Sequence, residues 1–467
     1  MNLKKGVLQI FIANAINLVI SLFTGFVLPK LLSIETYSNI KLFQLYITYI
    51  GILHFGFSDG MYLYHGGKTI QEVNKKEIIE ELKTFKIFQF IITIIAIIIS
   101  ICLKNEMLLF CSLVILPINV GNYFRSLYQS IGEFKRYSKF TNVNTFLIFF
   151  INILLLLLIK TDNYHIYIIA YIIAYIVYWI ILEIENKKLF KSYKAKPQKK
   201  YLVRNIKSGF FLMTGNFCNV IFTSIDRIFV QNLFGMIKFA FYSFSVSIQN
   251  LMSVFITPIS TVMYNYLCKN TEKQQVINIK RIIMIFATII IIAIFPAKFI
   301  IDCWLTKYSE SVSVLFLLFS SEYISIIIRC IHINLYKAEK KQNRYFIIMI
   351  IIVLVSIILN FILYNIYKSM EMIALATLLT NIIWFIIGEI DFKKYKLKIS
   401  EYIYMFSILI VYLITAKIDN SIMGCGIYII ISCVLIFIFM KETMFYCINE
   451  SKKYLNNIIL RIRKKEN

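Results

Sequence analysis

The sequence predicts an all-α integral membrane protein of about 14 transmembrane helices, arranged as two pseudo-symmetric six-helix lobes plus two extra C-terminal helices. Three observations lead there. Of 467 residues, 59% are apolar and only 16% charged, and the mean hydropathy is +0.74. A soluble domain cannot bury that much apolar surface, so a soluble enzyme is excluded. The apolar residues fall in runs of roughly 20, the length that crosses a hydrocarbon core as a helix. Finally, 50 Lys and Arg face 25 Asp and Glu, and the excess basic residues gather in every second interval between runs.

Charged residues punctuate the runs and define the elements in order. The candidate helices are Val7–Leu28, Asn39–Ser58, Phe85–Leu103, Met107–Tyr128, Phe140–Ile159, Ile166–Leu182 and Gly209–Leu233. They continue with Phe239–Leu267, Ile282–Ile301, Val312–Tyr336, Tyr345–Ile366, Met372–Gly388, Tyr402–Ala416 and Ile422–Met440. The first run is long, has no small-residue cleavage site and is followed at once by more spans, so it reads as a span and not as a cleavable leader. With only 5 prolines and 15 glycines, most runs should form unbroken helices. The tail from Lys441 to Asn467 is basic and weakly amphipathic and should lie on the membrane surface.

Charge counting sets the orientation. With the N-terminus inside, 40 Lys and Arg lie in inner segments and 10 in outer ones. This is the positive-inside pattern, and it requires an even number of spans with both termini cytoplasmic. The same pattern explains the net charge of +25 without invoking nucleic acid. The 9 cysteines include no CxxC pair, and no GxxxxGK[ST] motif occurs, so neither a metal, a cofactor nor a nucleotide site is expected.

An internal repeat divides the chain. Trp179, Glu183-Ile184-Glu185 at the end of one helix match Trp384, Glu389-Ile390-Asp391 six helices later. Leu127-Tyr128 and Arg136-Tyr137 match Leu335-Tyr336 and Arg344-Tyr345, and Asn14 and Asn17 match Asn216 and Asn219. The offsets are 206, 208 and 202. An even number of helices per repeat makes the repeats parallel. The organisation expected is an N-terminal lobe over 1–186, a basic cytoplasmic linker over 187–207, a C-terminal lobe over 208–391, helices 13 and 14 over 392–440, and a basic cytoplasmic tail over 441–467. Cargo then belongs between the lobes, with alternating access by rocking.

Several motifs carry a family resemblance. Ser224 opens SIDRIFVQNLFGMIKFAFYSFSVSIQNLMSVFITPIS, an Asp-Arg pair, a short Gly turn, then Tyr-Ser before a later Pro. Leu28-Pro29-Lys30-Leu31-Leu32, Tyr37-Ser38, Phe57-Ser58-Asp59-Gly60 and LYQSIGEFKRYS from Leu127 agree with the same pattern. The chain resembles the polysaccharide-biosynthesis flippases, the O-antigen or Wzx-type members of the multidrug/oligosaccharidyl-lipid/polysaccharide exporter superfamily. The resemblance implies transport of an undecaprenyl-pyrophosphate-linked oligosaccharide from the inner to the outer leaflet of a bacterial cytoplasmic membrane. Its implied partners are the lipid-linked oligosaccharide, membrane lipids and polysaccharide assembly enzymes. A lipid II flippase or a drug/cation antiporter of the same superfamily is the alternative. A polymerase or ligase fits less well, because every outer loop is short and none gathers a His, Arg and carboxylate cluster.

Ionisable residues inside spans are the best pointers to a site. Arg329, Arg125 and Arg227 are the candidate cations for an anionic head group, since the planar guanidinium holds two phosphate oxygens together. Asn14, Asn17, Asn216 and Asn219, with Ser21, Thr24, Thr223 and Ser224, recur at spacings of three and four and could line a polar cleft. Glu322, about ten residues into its helix, and Asp226 are candidates for ion coupling. Arg329 lies seven residues after Glu322, on nearly the same helical face. Asp59, Glu183, Glu185, Glu389 and Asp391 are read as interfacial partners of neighbouring lysines. His332 is read as a packing histidine.

Overall fold

The structure, a computed structural model, describes residues 19–190, 196–269, 272–446 and 449. Sixteen helices follow in order within them: α1 Val19–Leu31, α2 Ile34–Tyr49 with a 3-10 extension Ile50–His54, α3 Phe57–His65, α4 Lys75–Cys102, α5 Glu106–Ser130, α6 Lys135–Ile159, α7 Tyr164–Phe190 and α8 Lys199–Phe222. After them come α9 Ile225–Leu251, α10 Ser253–Lys269, α11 Lys273–Trp304, α12 Ser311–Ala338, α13 Gln342–Ile366, α14 Met370–Asp391, α15 Ile399–Thr415 and α16 Ser421–Phe439. Among the described residues, 9 helices are long and apolar enough to cross a membrane, or 11 if the bent pairs α2–α3 and α8–α9 each count as one span. Helices α1 and α15 are apolar but shorter.

The chain is a multi-pass membrane protein by its surface as well as by its composition. On α4, Ile91, Ile94, Ile95, Ile98 and Ile99 are all exposed, and α13 exposes Leu354, Ile358, Phe361 and Ile362. In water such stripes would drive aggregation; in a bilayer they meet lipid chains. Caps start the helices where the chain turns: Ser33 accepts the Thr36 amide at 3.2 Å, and Asn74, Asn105 and Asn420 do the same for α4, α5 and α16. The basic stretch after α7 is helical at both ends, through Phe190 and again from Lys199.

Two compact units divide the chain, 1–243 and 244–467. Each contains one copy of the same turn. In the first, Ile131, Gly132 and Glu133 donate backbone hydrogen bonds to Leu127, Gln129 and Tyr128, with Gly132 left-handed at φ 74°. In the second, Glu339, Lys340 and Lys341 donate to Leu335, Lys337 and Tyr336, with Lys340 left-handed at φ 55°. Every position is offset by 208 residues.

The side chains that follow repeat too. Arg136 pairs with Glu185 in the first unit, and Arg344 pairs with Asp391 at 2.9 Å in the second. Lys86 on α4 reaches Glu183 on α7 at 2.5 Å, while Lys280 on α11 reaches Glu389 on α14. The matched acidic residues thus pair as the sequence suggests, but with cations on other helices and not with the lysines beside them. Distant pairing is favoured because a cation from a neighbouring helix shields the carboxylate from the apolar phase while tying two spans together.

Candidate functional site

In the second unit the candidate side chains converge on α12. Glu322 and Arg329 straddle the middle of this helix, and the guanidinium reaches back two turns to the carboxylate and pairs with it. The span between them runs into a π-helical turn, Ile328–His332, which widens the helix at Arg329. From α9, the Gln249 amide donates to Glu322 Oε2 at 3.1 Å and to the Leu318 carbonyl at 3.3 Å. The Arg329 carbonyl accepts from the Ser260 hydroxyl at 3.0 Å and from the Asn334 amide at 3.3 Å. The Glu322 side chain is 6% exposed and that of Arg329 is 32% exposed. One end of the pair is therefore fixed in the packed helices and the other reaches an accessible surface. Arg329 Nε is buried without a hydrogen-bond partner among the described residues, so the guanidinium keeps a donor to give.

His332 lies three residues on and is fully buried. Its Nε2 lies 2.9 Å from Glu389, the carboxylate that Lys280 also holds and to which the Tyr402 hydroxyl donates at 2.5 Å. This is the packing role that the sequence suggests for it.

In the first unit the candidate residues occupy two places. The break between α8 and α9 falls at Thr223-Ser224 and bends the chain by 45°. Just past it, Asp226 is buried and accepts the Tyr242 hydroxyl at 2.9 Å and the Arg227 amide at 2.7 Å. The Arg227 guanidinium turns the other way, to the Thr223 carbonyl at 3.3 Å, and its Nε is buried and unpartnered among the described residues. Asp226 and Arg227 thus form no side-chain ion pair. Arg125 on α5 is half-buried and donates to Asn122; no carboxylate of the described residues pairs with it.

Along α8, Asn216, Asn219 and Thr223 are exposed on one face, three and four residues apart. Asn216 donates to Asp59 Oδ1 at 3.3 Å. Asn14 and Asn17, their sequence counterparts, lie outside the described residues. Asp59 is the residue whose surroundings the sequence did not reveal. No lysine of the described residues holds it; His54 and Asn216 are its neighbours. Gln249 and Tyr242 were also missed, since a neutral amide or phenol in an apolar run carries no periodic signal.

These features define a class: a multi-helix membrane protein with two repeated units and arginines placed within its spans. Comparison with known proteins agrees. The family described as polysaccharide biosynthesis protein matches residues 3–270, more than half of the chain, and the chain belongs to that family. Among solved structures, it is similar to the lipid II flippase MurJ in an inward closed conformation, with 16% identity and a TM-score of 0.66 over 94% of this chain and 100% of that one. It is also similar to an inward-facing multidrug resistance MATE family transporter of the MOP superfamily, with 12% identity and a TM-score of 0.53 over 84% of this chain and 94% of that one. At such identities the likeness establishes the fold, that of flippases and transporters. No curated protein sequence matches the chain.

Proposed function

We propose that this protein is a flippase that moves an undecaprenyl-pyrophosphate-linked oligosaccharide, an O-antigen, capsule or related repeat unit, from the inner to the outer leaflet by alternating access. Membership of the polysaccharide biosynthesis family supports the cargo class. The observation that carries the reading is the set of arginines within the spans. Arg329 and Arg227 each keep a buried, unpartnered Nε–H, and Arg125 has no carboxylate partner among the described residues. An arginine in an apolar span is costly and is retained where it meets an anion. A pyrophosphate supplies that anion and accepts the guanidinium fork in pairs. On this reading Glu322 holds Arg329 in position until the head group arrives.

The test is deletion of the gene followed by leaflet-resolved analysis of lipid-linked intermediates. Accumulation of complete oligosaccharide-lipid on the cytoplasmic leaflet supports the flippase. Appearance of single, unpolymerised units on the outer leaflet points instead to a polymerase or ligase. Loss of lipid II from the outer leaflet, with oligosaccharide-lipid unaffected, moves the cargo to lipid II.

A further inference from the structure

The bend between α2 and α3 brings together a strained backbone, a histidine and a carboxylate within an otherwise apolar span. The two helices meet at 61°. Phe55 is left-handed at φ 50°, and Gly56 follows at φ 85°. A bulky residue rarely takes that conformation, and such strain persists only where the surroundings hold it.

Here they do. Gln89 on α4 donates to the Leu53 carbonyl at 3.1 Å, and Asn119 on α5 donates to the Ile50 carbonyl at 3.3 Å and to Gln89 Oε1 at 2.7 Å. Both amides are fully buried and satisfy carbonyls that the broken helix cannot. Beyond the break α3 is seated on α8 with backbone touching backbone. A Cβ on Gly60 would stand 2.0 Å from the Asn205 carbonyl oxygen, and one on Gly209 would stand 2.0 Å from that of Gly56. So α3 is fixed to α8, and α2 joins it through the break.

His54 and Asp59 stand on either side of this joint. The Gly56 amide donates to His54 Nδ1 at 3.0 Å, and His54 Nε2 lies 3.5 Å from Asp59 Oδ2. Because Nδ1 accepts, the proton of the neutral ring is on Nε2 and points to the carboxylate. A second proton can enter only at Nδ1. It converts the acceptor into a donor and so removes the partner of the Gly56 amide, at the residue where the chain turns. Asp59 is then the counter-ion of the imidazolium. From α8 the uncharged Asn216 donates to Asp59, the uncharged Gln89 of α4 and Asn119 of α5 hold the Leu53 and Ile50 carbonyls on the same segment, and no Lys or Arg of the described residues is within ion-pair distance of Asp59. An alkali ion is poorly served here. Such hard cations take several oxygen ligands, whereas this site offers one carboxylate beside an imidazole.

We propose that the His54–Asp59 pair is a proton-binding site that clamps the α2–α3 break when the ring is neutral and releases it when the ring is protonated. Its use in moving cargo rests on the transport reading above; its existence does not. The proton enters on His54 Nδ1, the Gly56 N–H···Nδ1 bond breaks, and the positive charge is held by Asp59.

The test uses the full-length protein in lipid nanodiscs, in a cysteine-free background, with spin labels at the exposed positions Glu35 on α2 and Leu63 on α3. The distance distribution is measured from about pH 8 to about pH 3.5, a range that spans the protonation of a buried histidine and of the carboxylate beside it. The expected result is a shift on acidification. His54→Asn keeps an acceptor near the Nδ1 position that cannot be protonated, and it should abolish the shift and hold the high-pH distance throughout. Asp59→Asn removes the counter-ion and should move the shift to lower pH. A wild-type distance that does not change with pH overturns the proposal, as does a shift that His54→Asn leaves intact. Flipping of lipid-linked oligosaccharide is measured in proteoliposomes in parallel. A pH-dependent distance without flipping retains the proton site and sinks the cargo reading; flipping with a pH-independent distance does the reverse.

Discussion

Removing Arg329 should cost more stability than removing both members of its ion pair. In Arg329→Ala, Glu322 keeps its burial and loses its cation, leaving only the Gln249 amide at 3.1 Å. Breaking a fully buried pair from one side costs about 3–5 kcal/mol, and an exposed pair is worth about 1 kcal/mol or less. The Glu322 side chain is 6% exposed and that of Arg329 is 32% exposed. The loss therefore falls between these limits, at about 2–3 kcal/mol. Glu322→Gln leaves the cation free to turn toward its accessible side and should cost about 1 kcal/mol. In the double variant Glu322→Gln, Arg329→Ala no buried charge remains uncompensated, so the combined loss should be smaller than that of Arg329→Ala alone. The coupling should be about 1–2 kcal/mol, well above the scatter for independent sites. Unfolding free energies in mixed micelles titrated with a denaturing detergent would measure all three. Additive losses would refute the claim that the pair is an isolated buried unit. Export measured on the same variants carries the functional half. Arg329→Ala should abolish it at normal membrane abundance, and Arg329→Lys should restore it in part, because lysine lacks the fork. Full export by the alanine variant would remove Arg329 from the head-group site.

Other consequences are more local. Gly209→Val should lower folded yield sharply, because its Cβ would meet the Gly56 carbonyl oxygen at 2.0 Å with only backbone to move; Gly426→Ala, whose Cβ meets nothing within 4 Å, is the matched control in the same membrane-abundance assay. Gly388→Ala should push the His332 ring, whose Nδ1 would lie 2.4 Å from the new methyl, off Glu389, and the loss should appear as a lowered unfolding temperature. Burial raises the Glu339 carboxyl, but hydrogen bonds and charge from Lys394 and Lys341 outweigh it and hold it below its ordinary 4.5. A group depressed in this way stabilises the fold above its unfolded value and loses that contribution as the pH falls through the folded value. Acid unfolding of Glu339→Gln should therefore be less steep than wild type below about pH 4.5, and identical curves would remove the group from the balance.

The parts of this fold that the sequence displays are those where one physical quantity dominates. Apolar runs reveal spans because the bilayer accepts nothing else. The repeat is visible in the residues that flank a shared helix-ending turn, Leu127-Tyr128 and Arg136-Tyr137 against Leu335-Tyr336 and Arg344-Tyr345, while the left-handed position itself holds Gly132 in one unit and Lys340 in the other. Spacing also predicted that Glu322 and Arg329 share a face, since seven residues are close to two turns. Direction is a different matter. The stretch from Asn39 to Ser58 reads as one span because apolar periodicity reports what lipid tolerates, not whether the axis bends. The bend depends on Gln89 and Asn119, 34 and 64 residues past Phe55 in the chain. Asp59 was assigned to nearby lysines for the same reason. Sequence proximity favours neighbouring lysines, whereas folding brings Asn216 on α8.

The distribution of polar contacts then decides where the first unit can change shape. One end of its helices is cross-tied: Lys86 to Glu183, Arg136 to Glu185, Arg204 to Glu77 at 2.7 Å and to Glu81, and Glu81 to the buried His65 at 2.8 Å. Pairs such as Glu81 and His65, both almost wholly buried, resist separation because each would leave an uncompensated group in an apolar phase. At the other end the Asp162 carboxylate and carbonyl accept from the Ser33 amide at 2.9 Å and the Thr36 hydroxyl at 2.8 Å, which fixes the start of α2 to the loop before α7. Between these ties α2 gives up α-helical hydrogen bonding at one place, the 3-10 turn Ile50–His54 with the left-handed Phe55 and Gly56 after it. Its carbonyls are held by neutral amides, which can exchange partners at far lower cost than charges. A unit built this way moves at that segment or moves as a rigid body, and His54 is placed where a single proton biases the choice.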